Sequence, residues 1–227
     1  MEDKMVNILL SRYDISKRWC FDELKKYIRK GSRVAVLAFS FRDSEISCKE
    51  EWDKFYGLDG VLSSAINKAF KHYSIDEDCI EYINYFTDSP AAAKSKLENA
   101  DIIFFPGGAA ENFMLRVIRF DLYHTIENHR GVIIGFGAGA QVQLANYHIN
   151  KGEGKMCYSL GFRFADGFNV ETNYTGSDRQ NYIVKRVVSE KGLPVYAIGE
   201  EGCIIVEGDI MRVLGEVHCF QKREAAG

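Results

Sequence analysis

Apolar positions along this chain fall into two patterns that alternate. Dense runs such as "VNILLS" (Val6–Ser11), "RVAVLAFS" (Arg33–Ser40), "DIIFFPGG" from Asp101 and "GVIIGF" from Gly131 carry almost no charge. They predict buried strands. "CIEYINYF" (Cys79–Phe86) alternates and predicts another. Between these runs the apolar residues recur at helical spacing. In "KRWCFDELKKYIRK" Trp19, Leu24, Tyr27 and Ile28 share a face, and Gly31 is expected to close the helix. "LSSAINKAFKHY" predicts a second helix. "SPAAAKSKLENA" predicts a third, with Ser89 as N-cap and Pro90 in its first turn. "ENFMLRVIRFDLYHTIENH" predicts one long helix.

The last third changes character. "SDRQNYIVKRVVSE" predicts a helix capped by Ser177 or Asp178. "VYAIGEEGCIIVEGDIMRVLGEVHCF" predicts short strands joined by tight turns at Glu-Gly and Gly-Asp, with a β-hairpin at one edge of the sheet. Strands that alternate with helices imply a parallel sheet covered on both faces. The expected fold is an α/β three-layer αβα sandwich, flavodoxin-like, with a mostly parallel central sheet and a C-terminal β-hairpin. Residues 1–227 are expected to form a single domain. Sites in such sheets lie at the carboxyl ends of strands, where the glycine turns after Phe105 and Phe136 fall.

Composition narrows the function classes. The chain is 46% apolar and 27% charged with a net charge of −3, and shows no long basic run, so no nucleic-acid partner is expected. No apolar run reaches the roughly 20 residues that span a bilayer, and the first residues do not read as a signal peptide, so a cytoplasmic protein with no membrane association is expected. The six cysteines form no CxxC pair; free packed thiols, and neither metal nor cofactor, are expected.

The informative stretch is "GVIIGFGAGAQVQ" (Gly131–Gln143). It has the frame of a nucleophile elbow, G-x-S-x-G, in which a strained turn from strand to helix presents a serine. Here Gly137 stands in the serine's place. A glycine fits the turn because it accepts backbone conformations that cost other residues of order 1–3 kcal/mol. As a dinucleotide fingerprint the same glycines fail, for they follow the fifth strand and lack the longer ending and acidic partner.

Taken in order, "IIFFPGG…ENFMLRVI…GVIIGFGAGAQV", "GFNVETNYTGSDRQNYIVKRVV" and "PVYAIGEEGCIIVEGDIMRVLGE" resemble the dipeptidase E and cyanophycinase family of serine peptidases, which has the class I glutamine-amidotransferase-like fold. The resemblance runs from about Asp101 to the end; the first hundred residues agree in pattern only. It implies acyl transfer by a serine, a histidine and an orienting carboxylate, and cleavage after an amino-terminal aspartate or of β-aspartyl-arginine polymer. Carried onto this chain, the serine position falls on Gly137, the histidine position on Asn173 and the carboxylate on Glu153. The backbone N–H groups of Gly108, in "PGG" beside Gly107, and of Ala138 remain as oxyanion donors. Arg179 is a candidate partner for a substrate carboxylate, or a helix-start surface residue; Tyr174 lines the pocket or packs beside it. Ala109 and Ala110 replace polar types expected next to the substrate, while Glu111 and Asn112 can cap the following helix. An asparagine cannot act as a base near neutral pH.

The expectation is therefore a peptidase homologue with a degenerate site, a pseudoenzyme that binds a small acidic or peptide-like ligand and has the option of a homodimer. Two alternatives stand beside it. One is an amide hydrolase using displaced groups such as His148, Cys157 or Glu153, although a surface-loop His148 and a packed Cys157 are the simpler readings. The other is an amidotransferase-like domain serving a partner protein. His124 and His129 are expected to be solvated.

Overall fold

Residues 5–152 and 155–222 are described in the computed structural model. In chain order they form β1 (Val6–Leu10), α1 (Arg18–Leu24), β2 (Val34–Leu37), α2 (Lys49–Tyr56), α3 (Val61–Lys71), β3 (Ile80–Ile83), α4 (Pro90–Glu98), β4 (Ile102–Phe105), α5 (Ala110–Arg119), α6 (Tyr123–Glu127), β5 (Val132–Phe136), α7 (Ala138–Gln141), β6 (Asn146–Gly152), β7 (Lys155–Leu160), β8 (Asn169–Glu171), α8 (Asp178–Lys191), β9 (Val195–Glu207) and β10 (Ile210–Phe220).

The dense apolar runs become the middle of one sheet, in the order β10-β9-β1-β5-β4-β2-β3 with β8 beside β9. From β1 through β5, β4 and β2 to β3 every pairing is parallel. Such strands bury both faces, and alternation decides which residue meets which layer. Leu9, Leu37, Ile103, Phe105 and Ile133 pack with side chains of α4, α5, α6 and α7. Ile8, Leu10, Val34, Val36, Phe104 and Ile134 pack with α1, α2 and α3 on the other face. The result is the three-layer α/β sandwich with a mostly parallel sheet that the strand–helix alternation predicts.

Some expected elements are shorter or divided. α1 ends at Leu24. The chain then tightens into i→i+3 turns, Lys26 N–H to the Glu23 carbonyl and Tyr27 N–H to that of Leu24, so Gly31 closes no helix. The long helix expected after "PGG" is two, because Asp121 adopts a left-handed φ of 54° between α5 and α6. Ser89 caps α4 by accepting from the Ala92 N–H, and Ser177 caps α8 by accepting from that of Gln180. The terminal hairpin is a single pair of long strands turning at Gly208–Asp209. The earlier Glu-Gly lies within β9 and makes no turn; the irregularity there is a register shift in β10 between Gly215 and Val217.

Two features that position the site lack a clear signal in the sequence. β6 and β7 form a separate antiparallel hairpin directly after the elbow helix. β8 runs parallel to the first residues of β9, a stretch of β9 that extends beyond its pairing with β1. From there the chain descends to the end of β1, where the Asn173 N–H donates to Ser11 Oγ at 2.9 Å.

Candidate functional site

Carboxyl ends of β1, β4 and β5 and the exit from β8 meet around a cleft of about 1020 Å³. Gly107, Gly108, Gly137, Ala138, Glu171 and Asn173 are among its lining residues. A hollow of about 1470 Å³ lies at the opposite, amino edge of the sheet, among side chains such as Lys30, Asp101 and Arg130. It contains none of the glycine turns, and the smaller cleft is the chemically organised one.

The chain makes a tight strand-to-helix turn at Gly137. The Gly137 N–H is tied to the Leu10 carbonyl at 2.9 Å, and Gly137 has φ 55° and ψ −121° before α7 begins. That backbone region favours glycine. A Cβ built on Gly137 would meet nothing closer than Gly107 Cα at 3.6 Å and Asn173 Nδ2 at 3.9 Å. The space above Gly137 therefore opens directly onto the side chain of Asn173. Asn173 is exposed, with a φ of 53° that asparagine tolerates better than most residues. Its carbonyl accepts from Gln180 Nε2 at 2.8 Å, which secures the turn.

The "PGG" turn faces the elbow. Gly108 has φ 140°, and a Cβ there would overlap the Ser40 carbonyl oxygen, which accepts the Ala109 N–H at 2.9 Å. Only glycine allows this approach. Arg116 fixes the other side of the same contact. Buried in α5, its guanidinium donates to the Phe39 and Phe41 carbonyls at 2.6 Å and pairs with Asp43. Burial pulls the Arg116 pKa down, against the opposing pull of Asp43. Tyr13 also lines the cleft; burial pushes its hydroxyl pKa up, while a hydrogen bond with the Gly107 backbone opposes the shift. The N–H groups of Gly108 and Ala138 have no acceptor among the described residues, and they remain available to an oxygen in the cleft.

Other expected site residues lie elsewhere. Arg179 is exposed and is not itself a lining residue, although it donates to Oδ1 of the lining Asn150 at 3.3 Å. Tyr174 packs its ring near His218 and Phe220 and donates its hydroxyl to Asn181 at 2.6 Å. Glu153 lies outside the described residues. Cys157 sits in β7 opposite the lining residue Ile149 and is not itself in the cleft lining. Ala109, Ala110, Glu111 and Asn112 line the cleft's rim, Glu111 paired with Lys151.

Two histidines depart from their expected settings. His148 is no surface-loop residue: it is fully buried in β6, Nε2 2.7 Å from Glu171 Oε2 and Nδ1 3.2 Å from Asn169 Oδ1. The alternation of "NYHIN" was the available signal, since a strand places Tyr147 and Ile149 on one face and His148 on the other. His129 is half-buried against Gly131, and loss of solvent lowers its pKa; His124 is exposed as expected. Glu171, which lines the cleft, went unnoticed beside Asn173.

The order and placement of these turns match a known family. The model of peptidase family S51 aligns with residues 62–214, most of the chain. The chain belongs to peptidase family S51. The match begins well before the segment whose motifs carried the resemblance, so α3, β3 and α4 belong to the family pattern too. None of the curated protein sequences matches this S51 chain. Among solved structures it is similar to a protein named provisionally as peptidase E from Listeria monocytogenes EGD-e, with a TM-score of 0.63 and 16% identity over 92% of this chain and 98% of that one. It is also similar to a peptidase from an acI-B1 Actinobacterium, with a TM-score of 0.66 and 15% identity over 96% of this chain and 91% of that one. At such identities the likeness concerns the fold. No helix among the described residues is long and apolar enough to cross a membrane.

Proposed function

We propose that this S51 protein is a pseudoenzyme that binds a small acidic or peptide-like ligand in the elbow cleft without hydrolysing it. The observation that carries the reading is the open space between Gly137 and Asn173. Acyl transfer by the family route needs a nucleophile and a base within hydrogen-bond reach. Neither side chain here supplies one. No histidine or cysteine is among the described residues lining the cleft. The serine that lines it, Ser11, donates its hydroxyl to the Ile198 carbonyl at 2.6 Å and accepts from the Asn173 N–H. The free amides of Gly108 and Ala138 favour a ligand oxygen in the same place. The cytoplasm is the compartment we assign, in keeping with six free cysteines.

Hydrolysis through displaced groups is the second reading. Among the described residues, His148 is connected to the cleft through the contact of its ring with Glu171 and through its carbonyl, which accepts from Gln141 at 3.1 Å. Both readings meet one experiment. Dipeptides headed by an amino-terminal aspartate are incubated with wild type and with the double variant Gly137→Ser/Asn173→His, and products are read by mass spectrometry. The pseudoenzyme reading expects an inert wild type and cleavage by the variant. Cleavage by wild type at a rate that the variant does not raise overturns it.

A further inference from the structure

Glu171 is a carboxylate in an expensive position. Its side chain is only 6% exposed, yet it lines the cleft. Removing a carboxylate from water costs several kcal/mol unless its lone pairs are met. One oxygen is met: His148 Nε2 lies 2.7 Å from Oε2.

With Glu171 ionised, the protons can be placed in two ways. If Asn169 presents Oδ1 to His148 Nδ1, the ring donates from both nitrogens. If the amide is turned, its Nδ2, otherwise buried without a partner, donates to Nδ1 and the ring keeps a proton on Nε2. In both arrangements Nε2–H donates to Glu171, so the carboxylate is held in one orientation. Its second oxygen, Oε1, has no hydrogen-bond partner among the described residues.

Nothing nearby neutralises it from the cleft side. The cations that line the cleft each have a carboxylate of their own: Arg12 pairs with Glu200 at 3.0 Å, Arg42 with Glu45 at 2.7 Å, and Lys151 with Glu111. Asp14 adds a carboxylate with no ion-pair partner among the described residues. Arg179 is not itself a lining residue; it is exposed and donates to the lining Asn150, not to Glu171.

We infer that Glu171, oriented by His148, is the specificity carboxylate of the cleft and takes a cationic group of a peptide-like ligand. The inference rests on the binding reading above and narrows it, because it selects a basic ligand over an acidic one. An ammonium fits Oε1 as a charge-assisted donor, while a carbonyl of the same molecule meets the Gly108 and Ala138 amides. The cation has two sources in a peptide, its amino terminus or a basic side chain.

Three matched probes separate these sources: lysyl-leucine, norleucyl-leucine, which lacks only the side-chain ammonium, and 6-aminohexanoyl-leucine, which lacks only the α-ammonium. Each is titrated into the full ¹⁵N-labelled chain, and the cleft amides are followed by NMR. Loss of one of the two ammonium groups is expected to weaken binding by about tenfold or more, and which one it is names the source. In Glu171→Gln, which keeps the side chain's size and its bond to His148, the three are expected to bind alike. Equal binding of all three to wild type overturns the inference and leaves the binding reading standing. A preference retained by Glu171→Gln does the same. If none of the probes, nor aspartyl-leucine, shifts the cleft amides at millimolar concentration, the binding reading itself falls, and this one with it. The wild-type comparison needs no variant to fold.

Discussion

A side chain at Gly137 meets strain but not crowding, whereas one at Gly108 meets a wall. The two glycines therefore predict different outcomes for the same substitution. Gly137→Ala is expected to cost about 1–3 kcal/mol, the price of holding a non-glycine residue at that φ and ψ, with the cleft intact. Gly108→Ala must displace the Ser40 carbonyl. It is expected to cost more than about 3 kcal/mol and to disturb the neighbouring amides. Urea denaturation measures the first quantity, and ¹H–¹⁵N shifts at Ala109 and Ala138 report the second. At this scale the sequence was informative wherever glycine spacing mirrors backbone geometry: the elbow and "PGG" turns were legible residue by residue. It was mute about Glu171, because a single acidic residue in "FNVETN" looks the same whether it faces solvent or a buried histidine 23 positions away in sequence. For Arg179 and Tyr174 the sequence left two readings open, because proximity to Asn173 along the chain does not decide whether a side chain lines the cleft or packs beside it.

Among the elements, the β6–β7 hairpin and β8 matter most, since His148 and Glu171 join them. Removing one member of a buried pair leaves the other without compensation, at a cost of about 3–5 kcal/mol. His148→Leu is thus expected to destabilise the chain by that amount. The double variant His148→Leu/Glu171→Leu should recover much of the loss, because an apolar pair of similar volume replaces the buried polar one. A double-mutant cycle in urea tests this; additive losses would mean that the pair is not the connection between hairpin and sheet. The parallel strands and capped helices were readable from apolar runs and from Ser89 and Ser177. The hairpin was not, because "NYHINKGEGK" is glycine- and lysine-rich and its alternation is short. Nor was the break at Asp121 visible, since a left-handed aspartate leaves the helical periodicity of α5 and α6 in place.

For the whole molecule, the sheet separates two unlike ends: the cleft at the carboxyl edge and His129 near the amino edge. Burial holds the folded-state pKa of His129 below the ordinary histidine value, so the folded chain resists taking up that proton. As pH falls below about 6.5 the unfolded chain binds the proton first, and stability declines; above that pH the contribution is complete. The slope is bounded at about 1.4 kcal/mol per pH unit for one proton. His129→Gln is expected to flatten the decline between about pH 7 and pH 5 in thermal melts, and an unchanged slope would assign it to other groups. The overall α/β architecture was legible because it depends on many residues at once, whereas the burial of His129 depends on a few. The open space above Gly137 also has a genetic consequence. Every asparagine codon lies one base from histidine, and half of glycine's codons lie one base from serine. Because a Cβ at Gly137 meets no close neighbour and Asn173 is exposed, two single-base changes suffice to place serine and histidine there when the glycine codon is GGU or GGC, and a selection for growth on a sole-source dipeptide would sample that return directly.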